Sequence, residues 1–119
     1  MNTKKWISLA ALFLSFTGIY AGNNERGIDL YRAELYDAAK IFFLEQTNQS
    51  PQEKAENLYY LGQTYFELQN SDSAAYYYKQ AIETAPEYPF GHIGEGKLAL
   101  TNDEKTAGDL FKKALSLAP

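Results

Sequence analysis

Between residues 51 and 117 apolar side chains recur every three or four positions, and no stretch alternates long enough to suggest a strand. Leu58, Leu61, Gly62 and Tyr65 fall at offsets that place all four on one helical face. Ala74, Tyr78 and Ala81 repeat the arrangement further on. The pattern predicts six helices, over about 24–33, 36–47, 51–68, 71–84, 89–100 and 103–117. Ser50-Pro51-Gln52-Glu53 reads as a capping box with proline at the first helical position, and Pro89 suits a first turn. Ser71 is expected to cap the fourth helix, and Asn102 or Asp103 the sixth. In the run Tyr76-Tyr77-Tyr78 the rings diverge by about 100° each, with Tyr78 facing the core.

The same landmarks return with one long period. Glycines fall at Gly27, Gly62 and Gly96, spaced 35 and 34. Alanines fall at Ala39, Ala74 and Ala107, each followed four residues later by an aromatic: Phe43, Tyr78 and Phe111. Prolines close the units at Pro51, Pro86 and Pro119. The glycine-to-alanine distance is 12, 12 and then 11, so the third unit is one residue shorter at its internal turn, near Thr101–Asp103. The proline-to-glycine distance is 11 and then 10, which puts an extra residue where the second unit begins. Both changes fall in connections, where a change of length is tolerated.

The middle unit, with Leu58-x-x-Leu61-Gly62-x-x-Tyr65, then Ala74-x-x-x-Tyr78-x-x-Ala81, then Pro86, resembles a tetratricopeptide repeat. Leu58 stands where tryptophan is commonest in that family. The third unit keeps Gly96, Ala107, Phe111, Ala114 and Pro119 but has His92 and Glu95 at positions usually apolar. The first keeps Gly27, Leu30, Tyr36, Ala39, Phe43 and Pro51, with Asn23 and Arg26 at apolar positions and Gln46 for alanine, which weakens its first helix. The resemblance implies an all-α, right-handed solenoid of about three helix-turn-helix repeats, near 22–53, 54–87 and 88–119. Small Gly62 and Ala74 are expected to let the two helices of a unit approach closely, with Tyr65 and Tyr78 filling the space beside them.

In this family the first helix of each unit lines a concave face. The resemblance therefore implies a partner-binding groove with Tyr31, Arg32, Glu56, Tyr59, Gln63, Phe66, Glu67 and Lys97 as its candidate residues. Ile28, Phe90, Ile93, Leu100 and Thr101 hold matching positions. Tyr59, Gln63 and Phe66 form a stripe away from the Leu58 face, as a binding surface would; the competing reading buries Phe66 and Ile93 against the neighbouring repeat. A Lys/Asn/Arg clamp for a C-terminal carboxylate is not supported, since the first unit offers Asn24 and Ile28 there. Arg32 and Lys97 are mixed with Glu56 and Glu67, so no ligand of a single sign is implied.

Residues 1–21 follow a different grammar. Lys4 and Lys5 precede an apolar run from Trp6 to Phe16, and Ala21 offers a cleavage position, which reads as a secretory signal peptide or, failing cleavage, an N-terminal anchor. The chain is acidic, with a net charge of -4 across 119 residues, which argues against nucleic acid. It has no cysteine, hence no disulfide, thiolate metal site or thiol-linked lipid. The lone His92 with Glu95 makes a poor metal site and no catalytic set. Gly91, Gly94 and Gly96 follow no strand, so they read as a loose helix rather than a phosphate loop. The expectation is a non-enzyme without cofactor or metal: an exported scaffold or adaptor for a protein or peptide partner in the periplasm or cell envelope of a bacterium. Leu110, Leu115 and Leu117 look uncovered on the last helix. This keeps open a self-associating repeat, or the N-terminal segment of a longer envelope assembly protein.

Overall fold

The computed structural model describes residues 23–119, so the signal-peptide reading of 1–21 lies outside the described residues. Among the described residues six helices follow one another: α1 Glu25–Arg32, α2 Tyr36–Glu45, α3 Pro51–Glu67, α4 Ser71–Thr84, α5 Pro89–Ala99 and α6 Glu104–Leu117. Among the described residues there is no strand, and no helix is long and apolar enough to cross a membrane.

The helix starts follow from local chemistry. Ser50 Oγ accepts from the Glu53 N–H (3.2 Å) while the Glu53 carboxylate accepts from the Ser50 N–H (3.2 Å), closing the capping box on α3. Asp103 caps α6 by accepting from the Thr106 N–H (3.0 Å), and hydrogen bonds to Thr106 hold its carboxyl below the usual range. The cap of α4 is Asn70 rather than Ser71: the Asn70 side chain accepts from the Ser73 N–H at 3.1 Å, which makes Ser71 the first helical residue.

The turns inside the units explain the irregular period. In the first, Glu34 takes a φ of 61° and the Leu35 N–H bonds back to the Leu30 carbonyl; in the second, Gln69 takes the same φ and Asn70 bonds back to Tyr65. These are matching left-handed C-terminal turns. The third turn is one residue tighter, with the Asp103 N–H reaching the Ala99 carbonyl and no left-handed residue. The longer connection into α3 holds its own left-handed residue, Asn48, at φ 56°.

Each unit is a helix pair closed by a glycine against an aromatic ring. A Cβ on Gly27 would fall 2.5 Å from the Phe43 ring, one on Gly62 2.5 Å from the Tyr78 ring, and one on Gly96 2.5 Å from the Phe111 ring. The ring lies where a side chain would be, so the periodic glycine is the seat of the periodic aromatic. The third-unit glycines are likewise packing positions and not a loose segment. A Cβ on Gly94 would also strike the Tyr78 ring, and one on Gly91 would lie 2.9 Å from Ile82 Cγ1. Tyr78 is thus gripped by Gly62 of its own unit and Gly94 of the next.

The core consists of two clusters strung along the chain. Ala39, Phe43 and Leu61 join the first unit to the second. Tyr59, Ala74, Tyr78 and Ala81 hold the second unit together, with Tyr88 and Leu98 of the third packed on them. Burying Phe43 and Tyr78, which are 2% and 0% exposed, contributes about 1.5–3 kcal/mol apiece. α3 touches both α1 and α5, whereas α2, α4 and α6 do not approach one another. A stack whose first helices touch and whose second helices splay is curved, with α1, α3 and α5 on the inner side. The fold is an all-α helical-repeat solenoid.

Candidate functional site

The inner face draws one residue or more from each of three helices. Tyr31 comes from the last turn of α1, Phe66 and Glu67 from the last turn of α3, and Lys97 from the last turn of α5. Lys97 Nζ sits 4.0 Å from the centre of the Phe66 ring and 3.9 Å from Glu67 Oε1, so one ammonium joins an aromatic face and a carboxylate of the neighbouring unit. A half-exposed ion pair of this kind is worth about 0–1 kcal/mol in stability. It therefore costs little to open in favour of a ligand. Burial first, and the Glu67 carboxylate second, push the Tyr31 hydroxyl up to about 12. Tyr31 also meets Tyr36 and Tyr60 at ring separations of 5.6 and 5.7 Å. The arrangement offers a carboxylate, an ammonium, a phenol and an apolar ring on one side of the molecule. That set can read a polypeptide by hydrogen bonds and apolar contact.

The four other candidates are engaged in other ways. Tyr59 is 8% exposed and belongs to the core; its ring contacts Tyr60, Tyr78, Tyr88 and Phe90, and burial raises its hydroxyl to about 12. It braces the wall from behind instead of facing a ligand, because α5 closes over the side on which it projects. Gln63 accepts a hydrogen bond from the Tyr78 hydroxyl and so ties the inner face to the core ring. Arg32 is exposed and pairs with Asp29 of its own helix at 3.7 Å. Glu56 lies three helical turns from Glu67, at the other end of α3, and accepts from Asn24 Nδ2 at 3.1 Å. Among the matching positions, Phe90 is exposed while touching Tyr59, and Ile93 faces a cleft at the C-terminal end of the stack. Phe66 is half-buried, packed on the core with one face under Lys97.

The sequence pattern gave no sign of a buried polar tie between the first and second units. Asn24 is 1% exposed; its Nδ2 donates to the Glu53 carbonyl (2.7 Å) as well as to Glu56, and its Oδ1 accepts from Gln49 (2.7 Å) and Asn57 (3.3 Å). Asn57, 5% exposed, also donates to the Phe43 carbonyl at 3.0 Å. This tie adds to the apolar contacts that Ile28, Leu30 and Tyr31 of α1 make with the Phe43 cluster. A lone asparagine carries no periodic signal, so only its burial reveals it. His92 is buried too, its Nε2–H donating to the Pro86 carbonyl at 2.9 Å. Among the described residues no group of three or more His, Cys, Asp or Glu is placed to hold a metal ion.

Residues 55–88, which run from the second turn of α3 to the end of the connection after α4, match the family model of the tetratricopeptide repeat. No curated protein matches the sequence. Repeats of this kind generally mediate protein–protein contacts and are generally non-catalytic.

Proposed function

We propose that this protein is an exported, non-catalytic scaffold or adaptor that holds a protein or peptide partner on the inner face of its repeat stack, in the periplasm or cell envelope. The observation that carries the reading is the convergence of Tyr31, Phe66, Glu67 and Lys97, one or two residues from each unit, on the curved side of a stack whose middle unit matches a protein-interaction repeat. The mixed signs of Glu67 and Lys97 favour a partner segment that brings both a donor and an acceptor, with an apolar side chain for the Phe66 ring. Export is supported by the order of charge, apolar run and small residue in positions 1–21.

Site-specific photo-crosslinking in the native envelope tests this. A crosslinker at Glu67 is expected to yield a discrete heterologous adduct, and one at Glu83, exposed on α4, none. The substitution Lys97→Glu, which sets like charges side by side, is expected to lower the Glu67 yield several-fold. Equal yields from both positions, or adducts of the chain with itself alone, would count against an inner-face adaptor.

A further inference from the structure

The inner face carries more hydrogen-bond donors than the fold uses. The half-buried ring of Tyr31 meets those of Tyr36 and Tyr60, half-buried as well, at 5.6 and 5.7 Å. Among the described residues the hydroxyls of these three make no hydrogen bond. No buried side-chain oxygen there lacks a partner, so all three hydroxyls open to solvent. Burial first, and the Glu67 carboxylate second, raise the hydroxyls of Tyr31 and Tyr36, that of Tyr31 to about 12. Both are therefore neutral donors at any physiological pH.

Glu67 joins this cluster to Lys97, whose ammonium lies over the Phe66 ring. Together the six residues offer four aromatic rings, three phenol O–H groups and one ammonium against a single carboxylate. A segment suited to such a face carries many carbonyl oxygens and few N–H groups, since each surplus donor would be left unpaired. An α-helix does not fit, because its carbonyls are bonded within the helix. A proline-rich segment does. Proline has no backbone N–H, and the polyproline helix makes no internal hydrogen bonds, so its carbonyls point outward. Its pyrrolidine rings pack on aromatic side chains. There is room for several residues, because beyond Phe66 and Lys97 the face passes into an open groove of about 440 Å³, lined in part by Ala75 and Leu98.

We propose, on the basis of the adaptor reading, that the inner face takes a proline-rich segment of its partner in the polyproline conformation. The hydroxyls of Tyr31, Tyr36 and Tyr60 donate to its carbonyls, and its pyrrolidine rings lie on the tyrosine rings and on Phe66. The Lys97–Glu67 pair opens on binding: Lys97 donates to a further carbonyl, and Glu67 accepts from the N–H of a residue between the prolines. The face is set before the partner arrives, since Tyr31 packs on the Phe43 cluster and Tyr60 stacks on Phe43 itself at 5.9 Å. A fixed face and a stiff segment lose little conformational freedom when they meet, so few contacts are needed to hold them.

The test uses two labelled peptides of equal length, titrated with the protein by fluorescence anisotropy. One is a run of prolines with a single central alanine; in the other, alternating glycine and serine replace the prolines. The proline peptide is expected to bind at least ~5-fold more tightly. Tyr31→Phe keeps the ring and removes the hydroxyl, and is expected to weaken that binding ~3–5-fold while the urea midpoint holds. Tyr76→Phe, on exposed Tyr76 of α4, is expected to leave it unchanged. Absence of binding, equal affinity for the two peptides, or indifference to Tyr31→Phe would overturn the proposal. So would an equal loss with Tyr76→Phe, which would put the segment off the inner face. The crosslink from Glu67 separates the two readings: a discrete heterologous adduct without proline-peptide binding would keep the adaptor and strike the proline-rich partner.

Discussion

At the residue scale, one substitution type has opposite outcomes at different glycines. Gly62 lies beneath the Tyr78 ring, with no room for a Cβ, whereas a Cβ on Gly108 would have nothing within 4 Å. Gly62→Leu is expected to cost about 1–3 kcal/mol through overpacking and to lower the urea midpoint. Gly108→Ala, in the interior of α6, is expected to raise the midpoint by about 1 kcal/mol in stability, because only backbone entropy changes there. An unchanged midpoint for Gly62→Leu would mean that the ring can swing aside at no cost. The glycine–aromatic pairing was legible in the sequence as two landmarks sharing one period. That the ring sits on the glycine itself, and that Gly94 clamps the same ring from the next unit, was not, because the relevant distance lies between helices.

At the scale of the element, α1 is the weakest member by local signals. Its N-cap makes no side-chain bond within the helix, and Gly27 is its sole buried residue. Beside the packing of Ile28, Leu30 and Tyr31 on the Phe43 cluster, it is held by the Asn24 tie to Gln49, Asn57 and the start of α3. Asn24→Ala removes up to four hydrogen bonds at once and is expected to cost about 1–3 kcal/mol. Because contacts in a solenoid run between neighbours, the loss should stay local. Hydrogen exchange of the α1 amides is expected to speed up while α6 keeps its protection. Unaltered exchange in α1 would show that Ile28, Leu30 and Tyr31, packed on the Phe43 cluster, hold the helix without the tie.

Across the whole molecule, the units are linked by tyrosines. Tyr31 meets Tyr60 between the first and second units, and Tyr59 meets Tyr88 and Phe90 between the second and third. Burial raises the hydroxyls of Tyr31 and Tyr59 from 10.0 to about 12, and those of Tyr78 and Tyr88 further. A folded-state pKa above the unfolded value means that the fold favours the neutral phenol. That stabilisation is complete below pH 10 and is lost as the pH rises through about 12. Tyrosinate absorbance and loss of helical circular dichroism are therefore expected to rise together in that window. Ionisation of all the tyrosines near pH 10 with helicity intact would contradict the linkage.

By itself the sequence determined the six helices of the described residues, the period of three units, the shorter turn of the third and the two periodic core aromatics, Phe43 and Tyr78. All of these follow from interactions along a helix or from a repeat that recurs in register. Tertiary structure decided which polar residues are structural and which face outward. It took Tyr59 out of the candidate groove and into the core, turned Asn24 and His92 into buried ties, gathered Phe66, Glu67 and Lys97 on one face, and left Leu115 over an open cleft. The physical reason is that burial depends on which neighbour covers a position. In a stack, that neighbour lies a full unit away or is missing at the end, where periodicity alone cannot register it.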